Sequence, residues 1–119
     1  MLEVDDLHVA YGQSEALHGI SFKAAKNETV AIMGRNGMGK TTLFKSLIGI
    51  LGLKGGRIAV DGAEVSADES YRRVAKGIAY VPQGRMIFPA LTVEENIRTG
   101  LTHRRDKSIP EEIYALFPV

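Results

Sequence analysis

Eight consecutive residues, Gly34-Arg35-Asn36-Gly37-Met38-Gly39-Lys40-Thr41, restrict the fold of this chain more than any other feature. They satisfy G-x-x-x-x-G-K-[ST] at every fixed position. The glycines take backbone angles closed to other residues and let successive N–H groups, those of Arg35, Asn36 and Met38 included, turn inward around an anion. A helix beginning near Lys40 adds its positive dipole end. Lys40 supplies a mobile cation for β and γ phosphates, and the Thr41 hydroxyl can ligate Mg²⁺. Thr42 offers a further hydroxyl to the cradle. At average residue usage the pattern arises by chance in roughly a few per thousand chains of this length, and its setting reduces that further. The glycines at 34, 37 and 39 run in the opposite spacing to the dinucleotide fingerprint G-x-G-x-x-G. The loop is one for a nucleoside triphosphate.

The flanks fit that reading. Thr29–Met33 is a short, apolar, β-branched run, which predicts a strand buried on both faces. From Lys40 to about Ile50, Leu43, Phe44, Leu47, Ile48 and Leu51 recur on one helical face, with Gly49 and Gly52 weakening the end. Upstream, the alternation of Leu2–Val9 predicts a half-exposed strand with an irregularity at Asp5-Asp6, and a second strand fits Leu17–Phe22. Tyr11–Ser14 and Asn27-Glu28 read as turns. Downstream, Arg57–Val60 and Ala63–Val65 flank the hairpin signal Asp61-Gly62. A short helix around Glu69–Lys76 leads to a strand Ile78–Val81, ended by Pro82. Thr92 and Glu95 have capping-box spacing and start a helix to about Arg98. A polar connector, His103–Ser108, precedes a last helix over Pro110–Phe117. The order of elements is mixed α/β: an antiparallel β subdomain plus the phosphate-loop strand and helix. Residues 1–33 and 56–81 are mostly β, 34–51 are loop and helix, and 84–119 begin a helical subdomain.

Composition sets the outer limits. The chain has 119 residues, with 15 Lys plus Arg against 14 Asp plus Glu, so neither a basic nucleic-acid arm nor an acidic tail is present and no nucleic-acid partner is expected. Hydrophobic residues are 45% and charged residues 24%, enough apolar surface for a core. No apolar stretch approaches the 18 or so residues of a membrane span, and the start lacks the basic-then-apolar pattern of a secretory leader. With no cysteine there is no disulfide and no thiolate metal site, in keeping with a reducing compartment.

Three features together carry a resemblance. Tyr11 lies 23 positions before Gly34, Gln83 follows Ile78–Val81, and the glycine-rich loop sits between them. This arrangement resembles the ATP-binding subunit of ABC transporters, a P-loop NTPase fold. The resemblance implies that Tyr11 stacks on adenine, and that Gln83 contacts Mg²⁺ and the attacking water while sensing the membrane subunits. The stretch Tyr80-Val-Pro-Gln-Gly-Arg-Met-Ile-Phe-Pro-Ala-Leu-Thr-Val-Glu-Glu-Asn96 is similar to the branched-chain amino-acid and amide importer group. With Tyr11-Gly-Gln-Ser-Glu-Ala-Leu-His-Gly19 it is most similar to the second ATP-binding subunit of urea importers. The implied cofactors are ATP and Mg²⁺. The implied partners are a second ATP-binding subunit in a homo- or heterodimer, integral membrane permease subunits and, indirectly, a solute-binding protein. Such a subunit sits at the cytoplasmic face of the membrane, held there by the permease. Arg85, Met86, Ile87 and Phe88 suit either a core rim or a docking surface for that partner.

Other candidates have simpler explanations. His8, His18 and His103 lack the i, i+4 pairing and cysteine companions of metal ligands. Glu94-Glu95 answers the dipole at a helix start. Arg104, Arg105 and Lys107 form a solvated connector interrupted by Asp106. Ser14 and Ser46 have no His or Asp arrangement that would make either a nucleophile. The family's Leu-Ser-Gly-Gly-Gln signature, Asp-Glu strand and switch histidine do not occur here. The expectation is therefore the N-terminal portion of a nucleotide-binding domain, which grips phosphate but lacks the acids that activate water. A small-molecule kinase on the same loop, a soluble ABC protein of repair or translation, and a non-hydrolysing assembly fragment are the alternatives.

Overall fold

Val4 and Leu7 are three residues apart, so strict alternation would put them on opposite faces of a strand. Both are buried all the same, at 1% and 0% exposure. The cause is an extra residue at Asp5-Asp6. In the computed structural model, which describes every residue except Arg85, His103 and Val119, the ladder shifts register between Val4 and Leu7. Asp6 adopts a positive φ of 45°, and its N–H is taken by Ser21 Oγ at 2.8 Å. This bulge turns both apolar side chains inward and leaves the two acids in water.

Around that strand the first of two units, Met1–Tyr80, is built. β1 (Leu2–Tyr11) pairs antiparallel with β2 (Ser14–Ala24) on one side and with β3 (Gly55–Val60) on the other. β4 (Ala63–Glu64) extends β3, giving the order β2-β1-β3-β4. Asp61 and Gly62 both carry positive φ, 47° and 81°, as a two-residue primed hairpin turn requires. Against the sheet lies α1 (Lys40–Ile48). Leu43 and Leu47 from the helix join Val4, Leu7, Val9, Leu17, Ile58 and Val65 in one core. α2 (Ser70–Ala75) follows.

The second unit, Val81–Val119, holds α3 (Val93–Thr99) and α4 (Glu111–Leu116). The capping box at Thr92 forms fully: Glu95 N–H donates to Thr92 Oγ1 at 3.2 Å, and Thr92 N–H donates to Glu95 Oε2 at 2.7 Å. The two N–H bonds of the Asn96 amide are shared among the carbonyls of Phe88, Leu91 and Thr92 at 3.1, 3.2 and 2.9 Å, and its Oδ1 accepts from Phe88 N–H at 2.8 Å. It thereby staples the turn before α3 to the helix.

Two expected strands do not form. Neither Thr29–Met33 nor Ile78–Val81 is in a ladder. Val30, Met33 and Val81 are 40%, 90% and 91% exposed. The reason is partnership. A strand of this all-apolar kind is stable when flanked and covered on both faces, and every ladder among the described residues is antiparallel and belongs to the four-stranded sheet. The remaining elements fall where the sequence puts them, with β2 longer at both ends and α1 stopping at Ile48. The apolar run Met86-Ile87-Phe88 is exposed. Arg85, expected beside it, and His103 lie outside the described residues.

Candidate functional site

The site forms where β1, β2 and the start of α1 meet. Gly39 precedes α1 at φ 90°, ψ 0°. A Cβ built there would lie 2.9 Å from Leu17 Cδ2 and 3.3 Å from Ala16 O. The left-handed angle favours glycine at position 39, and a side chain there would also press on Leu17 of β2. That angle turns the chain into the helix, and Leu43 N–H closes the first turn on Gly39 O at 2.8 Å. Upstream, Met38 N–H donates to Arg35 O at 3.3 Å, with Gly37 at φ 79°. A turn through Asn36-Gly37 thus brings Arg35 and Met38 together.

Lys40 bends its side chain back over this turn. Its Nζ donates to Gly34 O and, at 2.7 Å, to Arg35 O. The ammonium is thus held against the loop's own main chain, within reach of any anion the loop takes up. Thr41 is exposed on the first turn of α1, so its hydroxyl is open to a cation. Thr42 is buried, and its Oγ1 lies 3.2 Å from the Tyr11 hydroxyl. The further phosphate hydroxyl expected at Thr42 is therefore turned toward Tyr11. That contact brings the end of β1 to the phosphate loop, 31 residues on. Tyr11 keeps 52% of its surface exposed. A cavity of about 570 Å³ opens beside it, walled by Ser14, Ala16, Gly37, Met38, Gly39 and Thr42 among others. Its size suits a nucleotide, and both Tyr11 and the glycine-rich loop line it.

The structure so gathers Tyr11, Gly34, Arg35, Asn36, Gly37, Met38, Gly39, Lys40, Thr41 and Thr42 in one unit. Gln83 falls in the second unit, exposed, just after Pro82. For Mg²⁺ the protein donor set is small. Among the described residues no group of three or more His, Asp or Glu could hold a metal. Such a set fits an ion that keeps most of its ligands as water and nucleotide phosphate, with Thr41 as a protein contact.

Sequence reasoning missed the supports of this site. Arg73 is 2% exposed and donates to the main chain at the far end of α1. His8, Glu15 and Asp6 form a cluster behind the Tyr11 turn. His8 Nδ1 lies 2.5 Å from Glu15 Oε1, and His8 Nε2 lies 3.2 Å from Asp6 Oδ1. The Glu15 hydrogen bond, with help from Asp6, raises the His8 pKa above its ordinary value, against some desolvation. The same bond lowers the Glu15 pKa. No sequence signal announces this meeting, since in the shifted register His8 stands opposite His18 and Glu15 opposite Ala10.

A family model described as "ABC transporter" matches residues 17–117. The chain is 38% identical over 121 residues to the high-affinity branched-chain amino acid transport ATP-binding protein BraG of Pseudomonas aeruginosa, covering 99% of this chain and 52% of that protein. It is 36% identical to a probable branched-chain amino acid transport ATP-binding protein, LivF, of Archaeoglobus fulgidus, over 82% of this chain and 42% of that one. Among solved structures, an ATP-binding subunit of an ABC transporter superposes with a TM-score of 0.76 at 29% identity, covering 98% of this chain and 46% of the other. A dimeric ATP-binding cassette bound to ADP and phosphate superposes with a TM-score of 0.77 at 23% identity, which speaks for the fold alone. The chain spans about half the length of the curated relatives it matches, or less.

Proposed function

Because the chain belongs to the ABC transporter family of ATP-binding domains, matched over residues 17–117, we propose that it is the nucleotide-gripping portion of a subunit that powers solute import. The observation that carries this is Tyr11 against Thr42 at a nucleotide-sized cavity that Gly37, Met38 and Gly39 also line, with Lys40 held over the carbonyls of the same loop. ATP lies with its phosphates on the amides of Gly34–Thr41 and its base against Tyr11. Lys40 and the loop amides offset the charge that builds on the γ phosphate. Bound Mg²⁺ would supply further charge neutralisation, and Thr41 is the residue of the first unit that would meet it. Gln83, exposed in the second unit, is a candidate for orienting water. Two such subunits sandwich ATP and drive permease subunits at the cytoplasmic face of the membrane, with a solute-binding protein delivering the solute. No helix of the described residues is long and apolar enough to cross a membrane, in keeping with a peripheral role.

The names of the relatives favour branched-chain amino acids over urea as the solute. Uptake of labelled leucine and of labelled urea by cells lacking the gene separates the two; loss of urea uptake alone would restore the urea reading.

Nucleotide binding is tested by titration with MgATP and with pyrophosphate. Lys40→Met removes a charge-assisted contact of about 2 kcal/mol and should weaken both ligands roughly 30-fold. Tyr11→Ala removes base stacking, which is worth about 1–3 kcal/mol, and should weaken MgATP roughly tenfold while sparing pyrophosphate. Equal affinity of the Lys40→Met variant for MgATP would refute the reading. The 119 residues alone should release phosphate from ATP no faster than the Lys40→Met variant, because the carboxylates that would position water are not in this sequence.

A further inference from the structure

Arg73 is the one fully charged side chain buried among the described residues. Its guanidinium donates only to main-chain carbonyls. Nη1 reaches Ser46 O at 2.7 Å and Leu47 O at 2.9 Å, Nη2 reaches Ser66 O at 2.9 Å, and Nε reaches Asp68 O at 2.8 Å. Burying an ion costs several kcal/mol unless the surroundings carry the opposite potential. Desolvation does lower the Arg73 pKa, with Asp68 opposing. The potential that holds the cation is the carboxyl end of α1. Ser46 and Leu47 lie in the last turn, where the carbonyls carry the negative end of the dipole; Ser46 O also accepts from Gly49 N–H at 3.2 Å.

The other end of α1 is the phosphate loop. Nine residues at about 1.5 Å each separate the ends by roughly 13 Å. We propose that Arg73 is a positioning residue for polyphosphate: by clamping the carboxyl end of α1 to the Ser66–Asp68 segment and neutralising it, Arg73 fixes the helix on which the loop amides, Lys40 and Thr41 are mounted. Two effects act together. The clamp ties α1 to the connection between β4 and α2, so the helix cannot slide along its axis. The cation also cancels a negative pole that would otherwise reduce the positive potential at the anion end. Lysine cannot substitute, because four acceptors spread around a plane need a forked donor. The seat is also tight, since a Cβ on Gly49 would lie 2.9 Å from Arg73 Nε.

The proposal rests on the phosphate-loop reading, and its test separates the two. Binding of pyrophosphate, MgATP and adenosine is titrated calorimetrically in the protein and in Arg73→Lys, Arg73→Gln and Arg73→Ala, at a temperature where circular dichroism shows each folded. Pyrophosphate and MgATP affinity should fall about tenfold in the Gln and Ala variants, while adenosine affinity stays unchanged. Guanidinium chloride at millimolar concentration, far below denaturing levels, should restore the Ala variant, whose cavity admits the ion, and leave Gln unrestored. If Arg73→Ala does not fold, Arg73→Lys keeps the charge without the fork and should still lose severalfold in pyrophosphate affinity. Folded variants with wild-type pyrophosphate affinity overturn the proposal, as does an equal loss for adenosine. A wild-type protein that binds neither pyrophosphate nor MgATP overturns the phosphate-loop reading itself, and the proposal with it.

Discussion

His8 shows how a single side chain becomes a pH-sensitive element without lining the cavity beside Tyr11. Glu15 faces one ring nitrogen and Asp6 the other, and His18 Nδ1 lies 3.3 Å from the second oxygen of Glu15. The folded His8 pKa is raised above the ordinary 6.5, with the Glu15 hydrogen bond as the largest cause. A raised folded value means that the folded state binds the proton more tightly than the unfolded chain. Its contribution is therefore complete below about pH 6.5 and lost as pH climbs through the folded pKa. The thermal midpoint should accordingly fall between pH 6 and pH 8.5, and His8→Gln should flatten that part of the profile. A midpoint in His8→Gln with the same slope over that range would show that His8 is not responsible. The sequence shows each of these four residues but not their meeting. They approach across the β1–β2 ladder, and its register is shifted three times by bulges that no alternation rule places.

At the scale of elements, legibility tracks how local the controlling chemistry is. The cap at Thr92 depends on residues three apart and was readable; so were the Asp61-Gly62 hairpin and the loop from Gly34 to Thr41. Removing the cap with Thr92→Ala should cost about 1 kcal/mol, concentrated in α3 and seen as faster amide exchange in its first turn. Gly56 is the opposite case. It marks a strand opening in the sequence, yet what demands glycine there is 50 residues away. At φ 89° a Cβ would stand 2.3 Å from Asp6 O and 2.6 Å from Asp5 O, where β3 crosses the bulge of β1. Neither carbonyl belongs to a flexible side chain, so the strands would have to part. Gly56→Ala should lose roughly 3 kcal/mol or more, from left-handed strain plus overpacking. Denaturant titration would register this as a lower midpoint. A midpoint within experimental error of wild type would mean that the β1 bulge moves freely. Arg73 belongs with Gly56: nothing near it in sequence announces that it caps a helix 26 residues earlier.

The molecule as a whole is set by what its apolar runs can find to cover them. β1, β2, β3 and α1 supply one another, and with Val65 they form a core of eight buried side chains that includes Leu7 and Ile58. Thr29–Met33 and Ile78–Val81 have the composition of central strands, and composition is what sequence reading detects. Pairing is a property of neighbours, and among the described residues these two runs have none in a ladder. Val30, Met33 and Val81 are instead exposed, as are Met86, Ile87 and Phe88 in the second unit. Unpaired main chain beside apolar side chains offers a template for another chain, and contiguous exposed apolar surface drives association. The 119-residue chain should therefore associate reversibly as concentration rises, with a sedimentation coefficient that increases over the micromolar range. Placing a charge in the first run, Val30→Lys with Met33→Lys, should shift that rise to higher concentration without lowering the thermal midpoint, because neither residue belongs to the buried core. Amides of Thr29–Met33 and Ile78–Val81 should exchange with solvent faster than those of Glu3 and Val4, which are paired to β2 on one side and β3 on the other. A sedimentation coefficient independent of concentration, together with slow exchange at Val30 and Ala79, would mean that both runs find cover within one chain.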